Sequence, residues 1–213
     1  MDQLSTYLPG LILAYSAFLL SIMSPGPNIL AVIGTSMGVN RKSGIALALG
    51  VSSGSFCWAI LTVVGLSALL TVYASALFAI KIAGGLYLLW LAYKAFRSAA
   101  SRQDMEATQL AGGDRSLLGY YGRGLLVQMT NPKAALAWIA IVSLGLQANA
   151  PAWVGVMIVL GTSFLSVTIH CIYAVAFSTP VMVRLYAKAR RWIQGLLGAF
   201  FAFAGIKLLS SRL

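Results

Sequence analysis

Acidic side chains are nearly missing from this chain of 213 residues: there are four, against fifteen lysines and arginines and one histidine. None of the four falls in an apolar run, since Asp2 sits in the N-terminal tail and Asp104, Glu106 and Asp114 share one polar connection. That excludes a buried carboxylate as a proton relay. It also leaves few general acid–base groups for a membrane enzyme. Cysteines number two, and Cys57 and Cys171 each stand alone in an apolar stretch. A thiolate metal or redox motif is therefore not expected, and both read as small core residues. No metal or other cofactor is expected. The first residues lack Lys, Arg and a small-residue cleavage site, so they do not read as a signal peptide.

What is abundant is apolar. Hydrophobic residues make up 60% and charged residues 9%, with a mean hydropathy of +0.88; soluble domains carry about 25% charged residues. The expected class is an all-α integral membrane protein with one transmembrane domain over residues 1–213. Its net charge of +11 would suit nucleic acid only on a basic soluble face. Here the charges lie in short connections, so the partners expected are membrane lipids and a small molecule rather than nucleic acid.

Six apolar spans emerge, at about residues 8–36, 44–66, 72–93, 119–146, 152–178 and 192–209. Each is near or above the roughly 20 residues that cross a bilayer. Arg41 and Lys42 follow the first span. Lys94, Arg97, Arg102, Arg115 and Arg123 surround the connection after the third, and Arg184, Lys188, Arg190 and Arg191 follow the fifth. Eleven of the fifteen basic residues thus fall at alternate connections. The positive-inside rule then places both termini outside and the basic connections in the cytoplasm. The longest connection, about 95–118, reads as a cytoplasmic linker between a first repeat at about 8–94 and a second at about 119–210.

Two spans are broken. Ser24-Pro25-Gly26-Pro27-Asn28 interrupts the first and Thr130-Asn131-Pro132-Lys133 the fourth. Proline removes a backbone donor and clashes with the preceding turn, and in hydrocarbon such a backbone survives only when buried or lining a cavity. Placed without gaps, residues 19–24 (LLSIMS) face 125–130 (LLVQMT), which brings the breaks into register. Three spans per half give the halves opposite orientation. Inverted repeats with interrupted helices at matching places form a transporter pattern, and the interruptions point to the binding site.

Ser24 suits an N-cap with Pro25 at the first helical position; Thr130 or Asn131 suits an N-cap before Pro132. Both restarted helices then present N-termini at one depth, each with free N–H groups and a partial positive charge. Lys133 adds a full charge, so the pair predicts a site for a carboxylate. Carbonyls ending the first half-helices, with Asn28, Asn131, Ser21 and Gln128 nearby, predict room for an ammonium. The competing reading is a pair of proline kinks satisfied by neighbouring helices. Without an acid in any span, a second cation on the cargo would go unpaired, which argues for a neutral side chain.

His170 reads either as a neutral interface residue or as a group titrating near neutrality. Lys81 reads as snorkelling to the interface or as facing the cavity. Gly84, Gly85, Gly195, Gly198 and Gly205 predict close helix contacts. Trp58, Trp90 and Trp138 are candidate pore residues, while Trp153 and Trp192 are candidate interfacial anchors.

At both breaks the chain resembles the lysine-exporter superfamily, in particular its homoserine/threonine-exporter (LysE/RhtB) branch. The matching residues are Ser24 to Asn28 and Asn131-Pro132-Lys133-Ala134. Residues 81–89 (KIAGGLYLL) also resemble the family's K-x-x-G-x-x-Y-L stretch. Leu91 replaces a glycine common in relatives, and residues 135–144 lack the phenylalanines common after N-P-K. The resemblance implies a bacterial inner-membrane exporter of amino acids or their derivatives, driven by an ion gradient, with H+ as the expected ion. A homo-oligomer is compatible with it. Two other readings remain at this point: a metal-ion exporter or passive channel of a related family, and a membrane enzyme.

Overall fold

The computed structural model describes residues 3–24, 26–72, 76–101, 115–146 and 150–210. Among the described residues eight helices follow one another: α1 (Gln3–Met23), α2 (Pro27–Gly38), α3 (Arg41–Val72), α4 (Ala76–Ala100), α5 (Leu117–Met129), α6 (Pro132–Gly145), α7 (Ala152–Ala176) and α8 (Pro180–Ser210). Among the described residues there is no strand. Stretches Ser5–Met23, Arg41–Ala68, Ala152–Ala176 and Arg184–Ser210 are each long and apolar enough to cross a membrane alone. The α5–α6 pair, bent by 64°, makes a fifth crossing if it counts as one span. This is a multi-pass membrane protein.

Both expected breaks are real, and each follows from its sequence. α1 stops at Met23, with the Ser24 N–H closing the last turn on the Leu20 carbonyl at 3.1 Å. α2 restarts with Gly26 as N-cap (φ −143°, ψ −178°) and Pro27 in its first turn. The cap is therefore Gly26 and not Ser24; with a second proline at 27, the pre-proline residue is pushed to extended backbone and the restart moves along the chain. Pro25 lies outside the described residues. α5 stops at Met129, and Thr130 turns its hydroxyl back to the Leu126 carbonyl at 2.7 Å. Asn131 caps α6, its side chain accepting from the Lys133 N–H at 3.0 Å, with Pro132 in the first turn.

The basic connections are more helical than the hydropathy suggests. α4 carries Lys94 and Arg97 as far as Ala100, and α8 begins at Pro180 rather than near 192, taking in Arg184, Lys188, Arg190 and Arg191. Lysine, arginine and alanine are strong helix formers, so the helix outlasts the apolar run. Residues 102–114, including Arg102, Asp104, Glu106, Asp114 and the Gly112-Gly113 pair, lie outside the described residues.

Helices α3 and α5 pack backbone to backbone, since a Cβ on Gly50 or Gly124 would run into the facing chain, at the Tyr121 and Leu47 carbonyls. α4 and α8 form a second tight pair: Gly85 faces Leu209 and the Gly205 carbonyl, and Gly198 faces Phe96. Gly195 meets nothing nearby, so its expected packing role is not seen. α7 lies along α3, and α6 lies against both α1 and α4. The largest core cluster joins α1, α3, α6 and α7 around Leu11, Phe18, Trp138, Ile141 and Ile158. Leu118, Phe164 and Leu196 project outward, as expected of a surface that meets lipid. Cys57 is exposed on α3, against its expected place in the core, and Cys171 is half-buried on α7. Trp90 also faces outward, with the Lys94 ammonium 4.4 Å above its ring.

Candidate functional site

The two restarts meet. Between them lies a cavity of about 50 Å³, lined by Ser21 and Ser24 from the end of α1, Gly26 and Asn28 from the start of α2, and Asn131 and Lys133 from the start of α6. Ser55 of α3, Gln128 of α5 and His170 of α7 complete its polar wall; Phe18, Ile22, Trp138 and Ile141 make an apolar wall opposite in character. The volume is room for a few water molecules.

A chain of side-chain amides stitches the breaks together. Asn131 Nδ2 donates to Asn28 Oδ1 at 2.9 Å, Asn28 Nδ2 donates to Gln128 Oε1, and Gln128 Nε2 donates to Ser55 Oγ at 2.8 Å. Four helices are linked this way. Gln128 fits against α3 because Gly54 has no side chain: a Cβ there would lie 2.7 Å from the Gln128 Cβ. The Gln128 carbonyl, freed by the end of α5, accepts from Trp58 Nε1 at 3.2 Å. The Met23 carbonyl, freed by the end of α1, accepts from the Tyr173 hydroxyl at 3.3 Å, and the Lys133 carbonyl accepts from Tyr87 at 2.9 Å. Neighbouring helices thus satisfy part of the broken backbone, as a buried polar group requires.

Among the described residues, positive charge is what this arrangement leaves uncompensated. The Lys133 ammonium hangs over Gly26: a Cβ built there would lie 3.2 Å from Nζ. It therefore sits against the N-cap of α2 while belonging to the first turn of α6, with two helix dipoles directing positive ends to the same place. All four acids of the chain fall outside the described residues, so no described carboxylate faces it. His170 is buried, and its Nδ1 lies 2.8 Å from the Ser166 carbonyl. A carbonyl only accepts, so Nδ1 carries the hydrogen, and Nε2 is left for the cavity.

Most of the expected residues come together here. Ser21, Ser24, Gly26, Asn28, Gln128, Asn131, Lys133 and His170 line the cavity. Pro27 and Pro132 shape the helix starts without lining it, and Thr130 is exposed, facing away. Lys81 lies in α4, and its side chain lies outside those described, as does Pro25 altogether. Trp138 lines the cavity and Trp58 braces it. Ser55 and Tyr173 have no signal of their own: one serine among Ser52, Ser53 and Ser55, and a tyrosine in an unremarkable apolar run, cannot be told from packing residues without the facing helix; Tyr87 stands in the 81–89 stretch whose family resemblance marks it, but not its bond to Lys133.

Residues 19–212 match the family described as LysE type translocator. The chain belongs to that family. It is 34% identical over 200 residues to a threonine efflux protein of Salmonella typhi, covering 91% of this chain and 94% of the relative. The corresponding Escherichia coli (strain K12) threonine efflux protein is 32% identical over the same shares. A leucine efflux protein of Enterobacter sp. (strain 638) is 28% identical over 193 residues, 89% of this chain and 90% of that one. These relatives are named as efflux proteins and not as enzymes. No solved structure matches the chain.

Proposed function

We propose that this LysE-type translocator exports amino acids with a small polar or neutral side chain, threonine- or homoserine-like, across the bacterial inner membrane by alternating access. The observation that carries this reading is the Lys133 ammonium poised over Gly26, where the α2 and α6 N-termini meet and no described acid balances them. A carboxylate entering there meets a full cation and the positive end of α2, while Asn131 takes up the first N–H groups of α6. The substrate ammonium then faces the other edge of the cavity, where Ser21, Ser24 and the Nε2 of His170 offer acceptors. The Asn28–Asn131 pair opens to orient the substrate, exchanging bonds to each other for bonds to it. The wall of Phe18, Ile22 and Trp138 takes the side chain, and its apolar character suits a methyl group.

In this reading α1–α2 and α5–α6 are each one broken crossing, giving six crossings in two inverted halves, with both termini outside. The packing supports that pairing. α3 lies against α7 and α4 against α8, so elements of equal rank in the two halves meet one another. α3 also packs on α5 as α7 packs on α1, and α3 on α6 as α7 on α2. The coupling ion is H+. The relatives named for threonine export at 34% and 32% identity favour a hydroxylated substrate over leucine.

Purified protein in proteoliposomes, given a panel of labelled amino acids with and without a pH gradient, tests the assignment. Threonine or homoserine is expected to move fastest, and the gradient to accelerate it. Lys133→Ala is expected to lower the initial rate at least tenfold while leaving the amount of folded protein unchanged. Wild-type uptake by that variant would remove the lysine from the substrate site.

A further inference from the structure

Away from the central cavity, the α3–α5 pair carries a second feature at the end of the bundle where both helices begin. A cleft of about 530 Å³ there is lined by Arg41, Lys42 and Arg115. Running down from it along the outer face of the same two helices is a groove of about 470 Å³, walled by Ile45, Leu49, Leu118 and Tyr121. The two share Lys42 and Leu117, so they form one continuous depression with a cationic head and an apolar stem.

The chemistry of each part is distinct. In the head, Arg41 donates through Nε to Ser178 at 3.1 Å, which fixes its guanidinium and leaves the terminal nitrogens for another partner. Both helix starts are present as well: Asn40 caps the α3 turn through the Ser43 N–H at 2.9 Å, and Ser116 caps α5 through the Gly119 N–H at 3.2 Å. Dipole and side-chain charge therefore have the same sign. Asp114, next to Arg115 in sequence, lies outside the described residues. In the stem, Leu49, Leu117 and Leu118 are all exposed. The groove exists because Gly50 and Gly124 draw the two backbones together, leaving the larger side chains to flank the seam.

We infer that this depression is a binding site for one anionic phospholipid, its phosphate on Arg41, Lys42 and Arg115 and one acyl chain along the α3–α5 seam. Charge complementarity selects the headgroup, since basic pockets between membrane helices suit anionic lipids. Continuity with the apolar groove selects a lipid over a soluble phosphate. The inference stands independently of the export reading, because it uses none of the central residues.

The test uses the full chain in mild detergent, titrated with phosphatidylglycerol, phosphatidylcholine or inorganic phosphate, with bound lipid counted by native mass spectrometry. One phosphatidylglycerol per chain is expected to be retained at least tenfold more tightly than phosphatidylcholine, and inorganic phosphate is expected not to displace it. Changing Arg41, Lys42 and Arg115 together to Gln removes the preference; Leu49→Ser with Leu117→Ser weakens retention of both lipids. A control with Arg184, Lys188 and Arg191 changed to Gln keeps the preference. Equal retention of the two lipids, survival of the preference in the first triple variant, an equal loss in the control, or displacement by phosphate at lipid concentrations would each overturn the site.

Discussion

In the proposed H+ coupling the chain's single histidine is the natural proton carrier, since no acid is among the described residues. His170 keeps the hydrogen on Nδ1 because the Ser166 carbonyl, 2.8 Å away on its own helix, can only accept. Its other nitrogen shares the cavity with Lys133, the one cationic side chain in that lining. A proton arriving at Nε2 therefore raises the positive charge of the site and competes with the substrate ammonium for space and sign. His170→Gln keeps a hydrogen-bonding group of similar reach but carries no proton. Its expected phenotype is exchange of substrate across the vesicle wall at near the normal rate, with the acceleration by a pH gradient gone. Undiminished acceleration would move the coupling elsewhere. At this scale the sequence is legible wherever a residue is rare. Lys133, His170 and the Asn28–Asn131 pair stand out against apolar neighbours, and all four line the cavity. Ser24 and Thr130 were harder, because capping depends on which proline restarts the helix and on where a hydroxyl turns. Thr130 spends its hydroxyl on Leu126, and the cap falls to Asn131.

At the scale of helices, the two breaks are similar without being equal. Three residues separate Met23 from Pro27, and two separate Met129 from Pro132. Counted from the paired methionines, the second restart therefore comes one residue earlier than the first. Counted from its proline, however, each restart offers the cavity the same positions: Gly26, Asn28 and Ile29 on one side, Asn131, Lys133 and Ala134 on the other. The lysine therefore differs from Asn28 in side chain and not in place. Hydropathy located the apolar cores of the helices but not their ends, since the basic stretches of α4 and α8 continue the helix outside the apolar run. The α3–α5 seam depends on single atoms. Gly124→Leu would push its side chain into the Leu47 carbonyl and force the backbones apart. Overpacking of this kind costs about 1–3 kcal/mol. A lowered midpoint of thermal unfolding in detergent is the expected result, and an unchanged midpoint would show that the seam is looser than its geometry.

Across the whole molecule, the exchange of partners between the two proposed halves is incomplete. α4 lies against α6, whereas α2 and α8, the equivalent pair, meet through a cluster of Ile29, Ile33, Phe177 and Tyr186 without close backbone approach. Two halves inverted as proposed, and packed unequally, would have a second arrangement available, in which the inequality is reversed. Spin labels at Met37 and Leu185 on α2 and α8, and at Leu86 and Ile139 on α4 and α6, report it once Cys57 and Cys171 are replaced. The first distance is expected to shorten as the second lengthens when substrate and a pH gradient are supplied. One fixed distance for each pair under every condition would count against alternating access. The chain of amides from Asn131 through Asn28 and Gln128 to Ser55 bears on a different demand of the proposed mechanism, that of keeping the gradient meant to drive it. Carboxylates and threaded waters pass protons along; an amide near neutral pH neither takes one up nor gives one away. Where the two proposed halves join, these amides therefore act as an insulator, and in the proposed cycle a proton passes them only when the join itself comes apart.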